Sequence, residues 1–145
     1  MDCSDPRGQR YHGLEKLVFA GSLMATLAWV LARRPFRVVV DGRSMAPTLE
    51  PGDLLIATKR GGVRRGSLVV VAHPGREGYE MVKRVAAVAG DRIGDRTLGP
   101  GEYWVVGDDP SASTDSRSLG PVGGEAIRGV VRARYWPLSR STVFG

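Results

Sequence analysis

The sequence predicts a mainly β protein: a compact domain of short antiparallel strands, preceded by one N-terminal helix. Three features of the 145 residues carry this reading. Leu17–Ala32 is an uncharged run, LVFAGSLMATLAWVLA, closed by Lys16 at one end and Arg33-Arg34 at the other. After Pro35 the pattern changes to short β-branched runs at 36–40, 54–58, 68–72, 81–88, 103–106 and 127–135. Turn formers punctuate the gaps, as in Pro51-Gly52-Asp53, Arg60-Gly61-Gly62, His73-Pro74-Gly75 and Gly99-Pro100-Gly101. Several short strands at regular spacing with turn signals between them describe an all-β unit. No second stretch has a helical period, and no repeat is visible.

The first 32 residues are set apart as a tail and a membrane-anchor helix, and 33–145 as the β domain. The apolar run lies near the lower limit for a bilayer span, about 17 residues. Lys16 and the two arginines can extend it by snorkelling, and Trp29 suits an interface. A single-pass transmembrane helix in the cell membrane is therefore expected, with a buried or amphipathic helix as the alternative. No small-x-small site follows the run, which argues against a cleaved signal peptide. The flanking charges, Arg7, Arg10 and Lys16 against Arg33, Arg34, Arg37 and Arg43, do not set its orientation.

Composition narrows the chemistry. Hydrophobic residues make up 42%, enough for a packed core. The formal net charge is +6, all of it beyond residue 32, because acids and bases cancel before that point. A basic balance suits anionic lipid or nucleic acid without proving either. No aromatic-interleaved basic patch or nucleic-acid motif is present, so nucleic acid is not an expected partner. Cys3 is the one cysteine, which excludes an intramolecular disulfide and a cysteine metal site. The histidines, His12 and His73, have no neighbours that suggest a triad. Neither a metal nor a cofactor is expected.

Three segments carry candidate chemistry. Ser44, in Gly42-Arg43-Ser44-Met45-Ala46-Pro47-Thr48, follows an apolar strand and precedes a proline that stops it. Such a corner can expose a hydroxyl and leave backbone N–H groups free for an oxyanion. Serine before a turn is also commonplace, and a free hydroxyl needs an adjacent base. Lys83 is one of three lysines in an arginine-rich chain, within Met81-Val82-Lys83-Arg84-Val85. Strand alternation puts Met81, Lys83 and Val85 on one face and Val82, Arg84 and Ala86 on the other. A lysine on an apolar face either snorkels to the rim or is desolvated into a neutral base. The third segment, 107–117, is a long polar loop after a strand. It can form Asx and ST turns or carry a site.

Taken together, these pieces resemble the signal peptidase I family of serine endopeptidases with a Ser/Lys dyad. The matching residues are Gly42–Leu49, Gly52-Asp53, Val82–Val85 leading to Gly90-Asp91, and Gly107-Asp108. Ser113-Thr114-Asp115-Ser116-Arg117 and Gly120-Pro121-Val122 complete the series, in the family's order and spacing. The resemblance implies a compact signal-peptidase-like β domain behind one transmembrane helix, and an endopeptidase that cleaves after small residues. It makes Ser44 the nucleophile and Lys83 the general base. Ser113 would orient the Lys83 amine, with Asp115 and Arg117 as a supporting ion pair. Val38, Val40, Leu49 and Val82 would line the pockets for small side chains before the scissile bond, and Met45 would pack at the rim. The Ser44 N–H would donate to the oxyanion.

The chain departs from the family in places. Many members carry a hydroxyl two residues before the nucleophile, where this chain has Gly42. The usual Asn-Arg-Asp-Asn run is replaced by Asp109-Pro110-Ser111-Ala112, and only 75–78 occupies the place where larger members insert an extra domain. The short chain, the run Ala112–Val122 and Arg134-Tyr135-Trp136-Pro137 resemble the nickel-type superoxide dismutase maturation proteases. The implied partners are a precursor protein, which loses an N-terminal extension, and the lipid bilayer. Open alternatives are a general signal peptidase, self-cleavage of the LexA type, and a non-enzymatic membrane-tethered basic binding domain.

Overall fold

Valine-rich runs bounded by glycine and proline become strands because β-branched side chains pack well on a pleated, half-buried surface. The computed structural model describes residues 24–28, 34–59 and 61–145. Residues 24–28 are helical; the rest of the expected anchor lies outside the described residues. No described helix is long and apolar enough to cross a membrane. Arg34–Gly145 forms one compact unit.

That unit contains β1 (Pro35–Val39), β2 (Leu54–Thr58), β3 (Leu68–Ala72), β4 (Glu80–Ala87), β5 (Arg92–Ile93), β6 (Arg96–Thr97), β7 (Glu102–Val106), β8 (Val122–Gly123), β9 (Ile127–Trp136) and β10 (Thr142–Val143). Every expected run is a strand, with ends shifted by a residue at most. The two-residue strands β5, β6, β8 and β10 were not anticipated, because two residues cannot show alternation. Short 3-10 turns cover Pro110–Ala112, Gly124–Ala126 and Leu138–Arg140, and a single α-helical turn covers Ser116–Leu119.

The main sheet runs β1-β2-β9-β3-β4-β7-β8, with β10 also paired to β9 and every pairing antiparallel. β5 and β6 form a separate hairpin. Register shifts interrupt the β2–β9, β3–β9 and β4–β7 ladders. Such bulges bend strands and increase twist, which curls the sheet. β3 is buried on both faces: Leu68 and Val70 join one core cluster, Val69 and Val71 the other. This is why it reads as an unbroken apolar run.

β4 keeps the alternation read from the sequence. Met81, Lys83, Val85 and Ala87 are buried, while Val82, Arg84 and Ala86 are half-exposed. Val69 of β3 stands opposite Lys83 in the ladder, so the lysine lies on a valine-lined face.

The β1–β2 corner depends on Leu55, which has 0% exposure and packs in the first cluster. Leu55→Ala should lower the free energy of unfolding by about 3 kcal/mol. Urea denaturation should show a lower midpoint with an unchanged slope.

Candidate active site

The loop between β1 and β2 is closed at its base by two backbone hydrogen bonds. Val40 N–H donates to the Asp53 carbonyl at 2.9 Å, and Gly52 N–H donates to the Val40 carbonyl at 2.9 Å. Gly42 opens the loop with φ 86°, in the left-handed region. Open space surrounds the position of a Cβ there, so the backbone conformation is what favours glycine, by about 1–2 kcal/mol. This accounts for the missing hydroxyl two residues before Ser44. Met45 (1% exposed) and Leu49 (0%) anchor the loop in the first core cluster. Met45, expected at the rim, lines the groove that holds Ser44 and Lys83 and is at the same time a core residue whose long apolar side chain holds the loop down. Ser44 is half-buried, and its carbonyl accepts the Asp109 N–H at 3.0 Å. Among the described residues, neither its hydroxyl nor its N–H has a hydrogen-bond partner.

Lys83 is 2% exposed, so it does not snorkel. Its Nζ donates to Ser113 Oγ at 2.9 Å, and Ser113 Oγ donates to Asp115 Oδ2 at 2.6 Å. A hydroxyl has one proton to give. Ser113 gives it to Asp115 and therefore accepts from Lys83. Asp115, 1% exposed, also receives the Gly107 N–H at 2.8 Å and three bonds from Arg117: N–H at 3.1 Å, Nε at 2.9 Å and Nη2 at 2.5 Å. Asp115 at the same time caps the helical turn Ser116–Leu119. Burial is the strongest single influence on its carboxyl and would raise the pKa. The combined bonds from Arg117, Gly107 and Ser113 override it and hold the carboxyl far below the usual carboxylate range. Burial pushes the Lys83 amine down from lysine's ordinary value, the Asp115 charge opposes this, and Arg117 adds to the lowering.

Gly107 lies between the two halves. A Cβ there would stand 2.5 Å from the Ser44 carbonyl oxygen and would also collide with the Ser113 hydroxyl. The loop carrying Ser113 reaches the Ser44 loop only because residue 107 has no side chain.

Two clamps hold the Ser44 loop from outside. Arg84, on the opposite face of β4 from Lys83, forks onto Asp108 (Nε to Oδ1 at 2.8 Å, Nη2 to Oδ2 at 2.7 Å), and Thr48 Oγ1 donates to Asp108 Oδ2 at 2.5 Å. At the other end, Asp53 is fully buried and receives Arg134 at 3.0 Å and Arg140 at 2.8 Å. Arg134 Nη1 also donates to the Thr48 carbonyl at 2.8 Å. Asp53, Arg84, Asp108 and Arg134 stand within the motifs of the sequence, but no local pattern gives them a role. Their partners lie up to 87 residues away, a separation no local pattern reveals.

Ser44 and Lys83 line one groove of about 430 Å³, together with Val38, Val40, Val82 and Thr114. Leu49 does not reach its surface; it packs behind Val40 in the core. Among the described residues, no group of three His, Cys, Asp or Glu side chains is placed to hold a metal ion.

The family model described as signal peptidase, peptidase S26, matches residues 13–96 and 93–136. The chain is 32% identical to mitochondrial inner membrane protease subunit 1 of Homo sapiens, over 70% of each chain. It is 34% identical to signal peptidase I of Bacillus caldolyticus, over 70% of this chain and 80% of that protein. It is 35% identical to mitochondrial ATP-independent inner membrane protease subunit 1a of Arabidopsis thaliana, over 68% of each.

Gly107→Ala should force the two loops apart and destabilise the fold by about 1–3 kcal/mol in urea unfolding. Arg117→Leu leaves Asp115 buried without its cation. Because Arg117 is 41% exposed, the loss at neutral pH should be about 2 kcal/mol rather than the full cost of a buried pair. A depressed carboxyl pKa stabilises the fold above the unfolded value of about 3.9 and ceases to do so as pH falls through the folded one. The gap between wild type and Arg117→Leu, read by denaturation across pH, should be full above about pH 5 and shrink below about pH 4.

Proposed function

The chain belongs to the signal peptidase family, peptidase S26, and on that premise we propose that it is a membrane-anchored serine endopeptidase using Ser44 and Lys83 as its catalytic dyad. The observation that carries the reading is the burial of Lys83, with a lowered pKa, in the groove that also exposes Ser44. Neutral Lys83 takes the Ser44 Oγ proton as Oγ attacks the scissile carbonyl carbon. The resulting ammonium returns that proton to the leaving amine as the C–N bond breaks. Water then attacks the acyl-enzyme ester and gives a proton to Lys83; the acyl C–O bond to Ser44 breaks, Lys83 returns the proton to Ser44 Oγ, and the acid product leaves. Ser113 fixes the amine by accepting one of its N–H bonds, which leaves the nitrogen lone pair for Ser44. Asp115 and Arg117 hold Ser113 in turn.

The Ser44 N–H is the proposed oxyanion donor. Gly42 supplies no hydroxyl, so the second donor is a backbone group or water. Losing one such donor typically costs about 3 kcal/mol of transition-state stabilisation. Val38, Val40 and Val82 form the pockets for small side chains before the scissile bond, and Leu49 supports Val40 from behind.

The substrate is proposed to be a precursor protein that loses an N-terminal extension, with maturation of a nickel-type superoxide dismutase as the specific reaction. The short hairpin at 73–79 and the runs 112–122 and 134–137 support this. The similarity to signal peptidase I and inner membrane proteases supports a second reading, a general signal peptidase. Incubating the protein with each kind of precursor and sequencing the new N-terminus separates the two. Cleavage of secretory precursors alone would remove the dismutase assignment. The names of these relatives also support a membrane location, with residues 17–32 as the single-pass anchor.

Ser44→Ala and Lys83→Ala should each abolish cleavage while circular dichroism and melting temperature show a folded domain. Retained activity in either variant would refute the dyad. The rate should rise with pH as Lys83 loses its proton, with a midpoint below the ordinary lysine value of about 10.4.

A further inference from the structure

Among the described residues, Arg34, Arg37, Arg43, Arg64, Arg76 and Arg132 have no carboxylate within ion-pair distance, and three of these six line one groove. Eight others sit against a carboxylate: Arg65, Arg84, Arg92, Arg96, Arg117, Arg128, Arg134 and Arg140. Arg37, Arg43 and Arg76 line the groove with Ser44 and Lys83, and among the described residues none has a carboxylate within ion-pair distance. Arg43 acts on Asp109 only through its field. Of the two carboxylates lining the groove, Glu80 lies 3.7 Å from Arg128, which leaves Asp41. Three guanidinium groups thus meet two carboxylates in this concave site, and one of the two is shared with Arg128.

The positions of these cations follow from the fold. Arg37 projects from edge strand β1. Arg76 sits on the β3–β4 hairpin, its guanidinium 5.3 Å from the centre of the Tyr79 ring, against which His73 packs edge-on at 5.9 Å. His73 Nδ1 accepts the Gly75 N–H at 3.0 Å and stiffens the turn. Tyr79 is four residues before Lys83 on an extended segment, a distance of about 13 Å. A peptide stretched along β4 therefore brings a residue about four positions from its scissile carbonyl to Arg76. Arg43, next to Ser44, serves the other end.

We propose that this groove selects an acidic precursor segment, in which carboxylate side chains flank the small residues at the cleavage point and meet Arg37 and Arg76 on one side and Arg43 on the other. The inference rests on the groove being the peptide site proposed above. An anionic membrane surface would also attract arginines. A concave groove that includes Ser44 and Lys83 favours a peptide, because a bilayer surface cannot enter it.

Binding separates this inference from the protease reading. Full-chain Ser44→Ala protein is titrated with fluorescein-labelled extended peptides that have an alanine centre and Glu, Gln or Lys on both flanks. Fluorescence anisotropy at low salt should show the Glu peptide binding about tenfold more tightly than the Lys peptide, the sum of a few partly exposed charge pairs. The preference should fade in high salt. Arg37→Glu combined with Arg76→Glu should invert it. Arg64→Glu makes the same kind of charge change at an exposed arginine outside the groove, and should leave the preference intact. Equal binding of the Glu and Lys peptides overturns the proposal, as does an equal response to Arg64→Glu. So does a result in which the groove variants lose only their binding to phosphatidylglycerol vesicles. A Glu peptide that binds tightly but is not cut by the wild type would count against the protease reading alone.

Discussion

An amine buried in a valine-lined wall must be neutralised by its surroundings or lose its proton, and the site is organised around that constraint. Lys83 is withdrawn from water on a face shared with Val69, Met81 and Val85. The nearest carboxylate, Asp115, would restore the proton if it paired with the amine directly. Instead Ser113 stands between them, accepting from Lys83 and donating to Asp115. Arg117 takes most of the carboxylate's remaining capacity. The acid is thus satisfied without becoming the lysine's counter-ion, and burial dominates the lysine. A buried charge that lost its partner would cost several kcal/mol, so Asp115 and Arg117 are bound to act as a unit.

A second requirement is that two segments distant in sequence hold a fixed separation. Ser44 is on a loop, and loops move unless tied. This one is tied at each end and from below. Val40 and Gly52 close its base, Met45 and Leu49 fill the core beneath it, and Thr48 is held by Asp108 and Arg134. Buried ion pairs contribute little net stability, because desolvation offsets attraction. The Arg84–Asp108 and Asp53–Arg134 pairs are better understood as geometric: a forked guanidinium accepts only a narrow range of carboxylate positions. Gly107 completes the arrangement by allowing the closest approach of the two loops.

Charge distribution adds a functional layer to this geometry. Among the described residues eight arginines sit against a carboxylate and six do not, so the net charge of +6 does not by itself locate a binding surface. Location is what matters. The guanidinium groups of Arg37, Arg43 and Arg76 line the groove that also holds Ser44 and Lys83.

The sequence alone determined the six longer strands and the class of chemistry, because both are written locally. Period-two burial in β4 put Lys83 on the apolar face, and the run Leu68–Ala72 was legible as a strand. The ordered pieces around Ser44, Lys83 and Ser113 resembled one family, and the chain belongs to it. The tertiary structure decided what depends on distance in space. It placed Leu49 in the core rather than at the groove surface, and it gave Gly42 a left-handed backbone in place of a hydroxyl. It also joined Asp53 to Arg134 and Arg140, and brought Gly107 against the Ser44 carbonyl. None of these has a sequence signal, because each depends on which residues the curled sheet brings together across tens of positions. Local pattern records the face a residue occupies; only the closed fold supplies its partner.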